Sequence, residues 1–119
     1  MAAAALAAAA VGLGVARSAR ATTVPGRLYV SPLVIYDNAV KVRIRHNTWA
    51  QTIHYLRGAE VRYDVTNRGT RAFSLNILGS VTGRLAPGQR TSILVYWGRR
   101  GSFVFRAFPR GARLRVIVA

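Results

Sequence analysis

Few side chains in this sequence are equipped for chemistry, and their spacing limits what they can do. Two histidines, His46 and His54, stand eight positions apart across a turn, and the acids number three, Asp37, Glu60 and Asp64. With Asp37 the two imidazoles form the one candidate metal set, a sparse one, because ligand sites are normally marked by denser clusters. The acids are not paired for acid–base work, and no serine sits in a nucleophile elbow. Cysteine is absent, which removes disulfides, thiolate ligands and a cysteine nucleophile together. No enzymatic activity and no cofactor are expected. Glu60 and Asp64 read instead as surface ion-pair partners of Arg62 and its neighbours.

The remaining chemical signal is positive charge. Lysine and arginine number 18 against 3 acids, a formal net charge of +15 over 119 residues, and Lys41 is the one lysine among them. Lys41, Arg43 and Arg45 fall on one strand face and Arg113 and Arg115 on another. Arg99, Arg100, Arg106 and Arg110 are expected to gather around the loops at one end. Such an array attracts polyanions, so the expected partner is an anionic surface polymer or an acidic protein, with membrane contact through headgroup attraction or an uncleaved leader. No motif supports sequence-specific nucleic-acid recognition. Arginine-rich usage is also what GC-rich coding sequence produces, and charged strands deter edge-to-edge aggregation, so composition alone assigns no partner.

The elements that must position these groups are strands. Ala2 to Ala16 is a small apolar run, too short for a bilayer span of about 20 residues and suited to the helical core of a secretory signal, with Ala19-Arg20-Ala21 as the cleavage signature. Residues 1–21 are therefore expected to be a signal peptide and 22–119 a single exported domain in the cell envelope or beyond. After Thr22 the apolar period is two rather than 3.6. Arg27 to Tyr36 is interrupted by Pro32 and reads as an edge or broken strand. Ala39 to His46 turns Val40, Val42 and Ile44 one way and Lys41, Arg43 and Arg45 the other. His46-Asn47-Thr48 reads as a turn and Trp49 to Arg57 as one strand. Glu60 to Thr66 alternates again, Phe73, Leu75 and Ile77 keep the period, and Leu85-Ala86-Pro87-Gly88 has the residues of a type II turn. Thr91 to Trp97, Ser102 to Phe108 and Ala112 to Val118 complete an all-β chain, an antiparallel-rich sandwich or small barrel.

From Gly58 onward the order of signals resembles the end of a secreted, plastocyanin-related cupredoxin: V-R-Y-D-V-T-N from Val61, F-S-L from Phe73, L-A-P-G from Leu85, an alternating strand, then G-S-F-V-F from Gly101. The resemblance implies a Greek-key β-sandwich of seven or eight strands behind an N-terminal signal helix. It places the family's first histidine ligand at Phe73, its cysteine at Ala107 and its loop histidine at Arg110, and Met1, the sole methionine, leaves no axial ligand. A blue-copper centre needs two imidazoles and a thiolate, so the resemblance implies an exported, non-catalytic interaction or structural module without that centre. Two other readings stay open: a copper-binding or redox accessory protein using His46, His54 and Asp37, and a non-specific polyanion or nucleic-acid binder.

Overall fold

The computed structural model describes residues 18–20, 27–45 and 47–119. Among them the chain forms β1 (Ser18–Arg20), β2 (Leu28–Ile35), β3 (Val40–Arg45), β4 (Thr48–Ala50), β5 (Thr52–Tyr55), β6 (Ala59–Asn67), β7 (Asn76–Ile77), β8 (Ser80–Val81), β9 (Arg90–Trp97), β10 (Gly101–Arg106) and β11 (Arg113–Val118). The chain is all-β, as the period of two requires, and the strands of four or more residues number seven. Of the expected leader, residues 1–17 and Ala21 lie outside the described residues, as does His46, while Ser18–Arg20 form β1 and pair in parallel with β5.

Two sheets face each other. One has the order β1-β5-β11-β10, the other β4-β3-β2-β6-β9, and β7 and β8 form a separate ribbon. Both sheets are mixed. Antiparallel pairs predominate, as expected, but β2 runs parallel to β6 along its full length, and β5 runs parallel to β11. Pro32 sits where a strand can tolerate it: β3 pairs β2 only over Leu33–Ile35, so the missing N–H of Pro32 disrupts no ladder on that side. Trp49 to Arg57 is not one strand. β4 pairs with β3 in one sheet and β5 with β11 in the other, and the chain crosses between layers at Gln51, whose carbonyl accepts a hydrogen bond from the Arg115 N–H at 2.9 Å.

The core lies between the inner faces. β6 contributes Val61, Tyr63 and Val65, β9 Val95 and Trp97, β2 Leu33 and Ile35, and the opposite sheet Ile53, Tyr55, Leu114 and Val116, all buried. Burying each such aliphatic side chain contributes about 1.5–3 kcal/mol before the entropy of ordering is set against it. Trp97 is the hub. Its ring stacks on Tyr55 at 5.7 Å and meets Phe103 and Phe105 at 6.0 and 5.8 Å. On the outward side of the same strands Arg62, Arg113 and Arg115 are exposed.

Candidate functional site

The site is built from the loop end of β6. Asn67 closes that strand with its side chain wholly buried. Its Nδ2 donates to the carbonyls of Arg71 and Leu85 at 2.9 and 2.8 Å, and its Oδ1 accepts from the Gly69 N–H at 2.8 Å. A satisfied buried amide of this kind fixes the flanking loops against one another. Asp37, in the turn between β2 and β3, braces the same loop: its carboxylate accepts from the Thr70 N–H at 2.8 Å and from the Thr70 hydroxyl at 2.7 Å. The Thr70 hydroxyl and then its N–H hold the Asp37 carboxyl below its usual pKa. The turn Leu85-Ala86-Pro87-Gly88 forms as its residues demand, with Gly88 at φ 86° and the Gln89 N–H bonded to the Ala86 carbonyl at 2.9 Å.

Held in this way, the chain presents Phe73, Ala107 and Arg110 at one end of the sandwich. Phe73 exchanges backbone hydrogen bonds with Leu85 at 3.0 and 2.8 Å, and Ser74 with Phe108 at 3.0 and 2.8 Å. These two bridges draw the Phe73 segment against Leu85 and against the chain that leaves β10 through Ala107. Phe73 and Ala107 are fully buried, while Arg110 is exposed in the loop and its carbonyl accepts from Arg71 Nη2 at 3.3 Å. The Arg71 guanidinium lies over the Phe73 ring, 5.2 Å from its centroid. A depression of about 380 Å³ opens beside them, lined by Phe73, Ser74, Val81, Arg84, Phe108 and Pro109.

Solved structures with a similar fold include copper proteins. A multicopper oxidase superposes over 85% of this chain and 47% of its own, with TM-score 0.61 and 17% identity. The McoA multicopper oxidase of the hyperthermophile Aquifex aeolicus does so over 87% of this chain and 28% of its own, with TM-score 0.59 and 12% identity. A rusticyanin variant covers 86% of this chain and 82% of its own, with TM-score 0.57 and 12% identity. The fold is cupredoxin-like. The cupredoxin-like domain spans less than half the length of these two oxidases. The sequence matches no protein-family model and no curated protein.

The residues that the resemblance sets at the ligand positions offer a copper ion no donors. The Phe73 ring and the Ala107 methyl have no lone pair to donate, and Arg110 is a permanent cation. Cysteine is absent from the whole sequence, so no register supplies a thiolate. His54 and Asp37 lie toward opposite ends of the sandwich. Asp37 follows β2, whose end is paired with Asn67, whereas Tyr55, next to His54, lies where β6 begins: the Arg57 N–H bonds Ala119 and the Gly58 N–H bonds Trp97. The nine residues of β6 between those ends span about 26 Å. No group of three potential metal-binding side chains occurs among the described residues.

The arginines divide differently from the expected grouping. Lys41 and Arg43 lie on the outer face of β3, where Lys41 stands opposite Val34 and Arg43 opposite Trp49; Arg45 follows at the end of that strand. Arg99 and Arg100 do not join Arg106 and Arg110. β10 runs without a break from Gly101 to Arg106 and sets Arg100 and Arg106 about 20 Å apart. Arg106 stands directly opposite Arg113, and Arg115 opposite Val104 on one side and Thr52 on the other. Thr52 and Gln51 therefore belong to the arginine face. Spacing gave no sign of this, because their segment reads as a continuation of the Trp49 strand rather than as a crossing to the other sheet.

Proposed function

We propose that this chain is an exported, non-catalytic binding module, a cupredoxin-like scaffold that works without a blue-copper centre and engages an anionic surface polymer or an acidic protein in the cell envelope. The observation that carries the reading is the imbalance of charge: eighteen basic residues stand against three acids, and the described residues contain a single ion pair between side chains, Arg62 to Asp64 at 3.3 Å. Asp64 also accepts from Ser92, and Asp37 is held by Thr70. The positive field is thus left largely uncompensated, and a field of this kind raises the local concentration of polyanions and their rate of capture. The side chains at the ligand positions support the same reading by offering copper no donor set.

Two measurements test it. Retention on immobilised heparin should be strong in dilute buffer and fall steeply with salt, as counterion release requires; elution at low ionic strength overturns the proposal. Calorimetric titration with Cu²⁺ should show no stoichiometric sub-micromolar binding. Such binding would establish a metal-binding role in its place.

A further inference from the structure

We propose that the outer face of the β5–β11–β10 sheet is a binding site for a linear phosphate polymer, with Arg106, Arg113 and Arg115 as the charged contacts and Thr52 and Gln51 as neutral hydrogen-bonding groups beside them. The proposal rests on the reading above that the partner is anionic, and it adds where the partner binds and what it is made of.

The spacing follows from the pairing. Arg113 and Arg115 point the same way from one strand, about 7 Å apart, and Arg106 is the direct cross-strand partner of Arg113, with Cα atoms about 5 Å apart. Like charges placed directly opposite each other destabilise a sheet, so the arrangement lowers stability unless an anion lies between them. No acid of this chain is positioned to do so: Glu60 and Asp64 are in β6 of the other sheet, and Asp37 is committed to Thr70. The three arginines are exposed and make no ion pair among the described residues. A shallow groove of about 270 Å³ runs beside Arg113 and Arg115, its remaining walls formed by Gln51, Thr52 and Val104; Arg106 stands outside it, opposite Arg113.

The chemistry of the face selects the ligand. Guanidinium groups bind carboxylate and phosphate alike through paired N–H donors, but a threonine hydroxyl and a glutamine amide beside them add neutral donors. Those suit a tetrahedral oxyanion, which has more acceptor oxygens to satisfy than a carboxylate. A repeat of charge every 5–7 Å sets the guanidinium groups within reach of alternate phosphates along a linked chain. Phe103 and Phe105 pack against the core, so β10 offers no outward ring on which bases could stack.

The test compares two triple variants of the full chain, each losing three charges: R106Q/R113Q/R115Q on this face, and K41Q/R43Q/R90Q on the other sheet. Inorganic polyphosphate is the probe, titrated by calorimetry at several salt concentrations, with far-ultraviolet circular dichroism to confirm folding. The expected result is that the first triple loses at least about ten-fold in affinity and about three from the slope of log affinity against log salt, while the second keeps both within about two-fold of the parent. Equal losses in the two triples overturn the site but leave the anionic partner standing. A parent protein that holds heparin yet ignores polyphosphate overturns the phosphate assignment, and so does one that binds phosphatidylglycerol vesicles but not polyphosphate. A parent that binds none of these overturns the proposed function as well. If the first triple does not fold, the single variant Arg115→Gln, which leaves the hairpin pair intact, should still lower both affinity and slope, and no change in either overturns the proposal.

Discussion

The hydroxyl groups of Tyr55 and Tyr63 meet at 2.7 Å in the centre of the sandwich, one donating to the other, so that a hydrogen bond joins the two sheets through their shared core. Trp97 Nε1 donates to the same Tyr63 oxygen at 3.2 Å. Tyr63 is thus the shared partner of two buried donors or acceptors. Tyr63→Phe strands both and is expected to cost about 1–3 kcal/mol, whereas Tyr55→Phe leaves the Trp97 bond intact and should cost about 0.5–1.5 kcal/mol. Urea unfolding of the two variants checks the order; equal losses would mean that the Trp97 bond contributes nothing.

The same pair sets an alkaline limit. Burial raises the Tyr55 phenol well above its ordinary 10.0, and burial, with the neighbouring Tyr55 adding to it, raises Tyr63 in the same direction. In the folded protein both stay neutral where the unfolded chain ionises. Their contribution to stability is therefore complete below the unfolded value of about 10 and is lost as pH rises above it. The unfolding free energy should hold steady up to about pH 9 and then decline. Tyrosinate absorbance from these two residues should appear together with loss of the folded state. Their ionisation in a protein still folded would contradict the buried pair.

How far the sequence discloses this architecture depends on whether a strand has one wet face. Val40–Arg45, Glu60–Thr66 and Arg113–Val118 alternate because each has its inner side chains in the core and its outer ones in water. The Leu85–Gly88 turn is legible because only glycine takes its positive φ without strain. Alternation does not say which sheet a strand joins. The crossing at Gln51 and the parallel pairing of β2 with β6 arise from tertiary packing, and the local pattern is the same with or without them. The arginine face was hidden for the same reason: Thr52 lies more than sixty residues from Arg115 in the chain and opposite it in the sheet. Asn67 looks like any turn asparagine until its buried side chain is seen bracing two loops.

The loop after Ala107 is closed too tightly to admit a side chain at Gly111. Its N–H donates to the Ala107 carbonyl at 2.6 Å, and a Cβ there would lie 2.7 Å from that same oxygen as well as against the Ala107 methyl. The contacting atoms include backbone, which cannot swing aside as a flexible side chain would. Gly111→Ala is expected to destabilise the fold by about 1–3 kcal/mol. Thermal unfolding reads this as a lower midpoint, and an unchanged midpoint would show that the loop opens freely.

Stability and binding should move in opposite directions at the Arg106–Arg113 pair. Two cations directly opposite on neighbouring strands repel, and both side chains are exposed, so water and salt weaken the repulsion without removing it. Arg113→Thr places a good strand former opposite Arg106 and ends the repulsion, so the variant should gain about 0.2–1 kcal/mol in dilute buffer. That gain should shrink toward zero near 1 M salt, where the Debye length is about 3 Å. Polyphosphate affinity of the same variant should fall. Unfolding at low and high salt, alongside the binding titration, separates charge from packing: a gain that persists unchanged in high salt would belong to strand propensity, and Arg106 and Arg113 would then not be in electrostatic conflict.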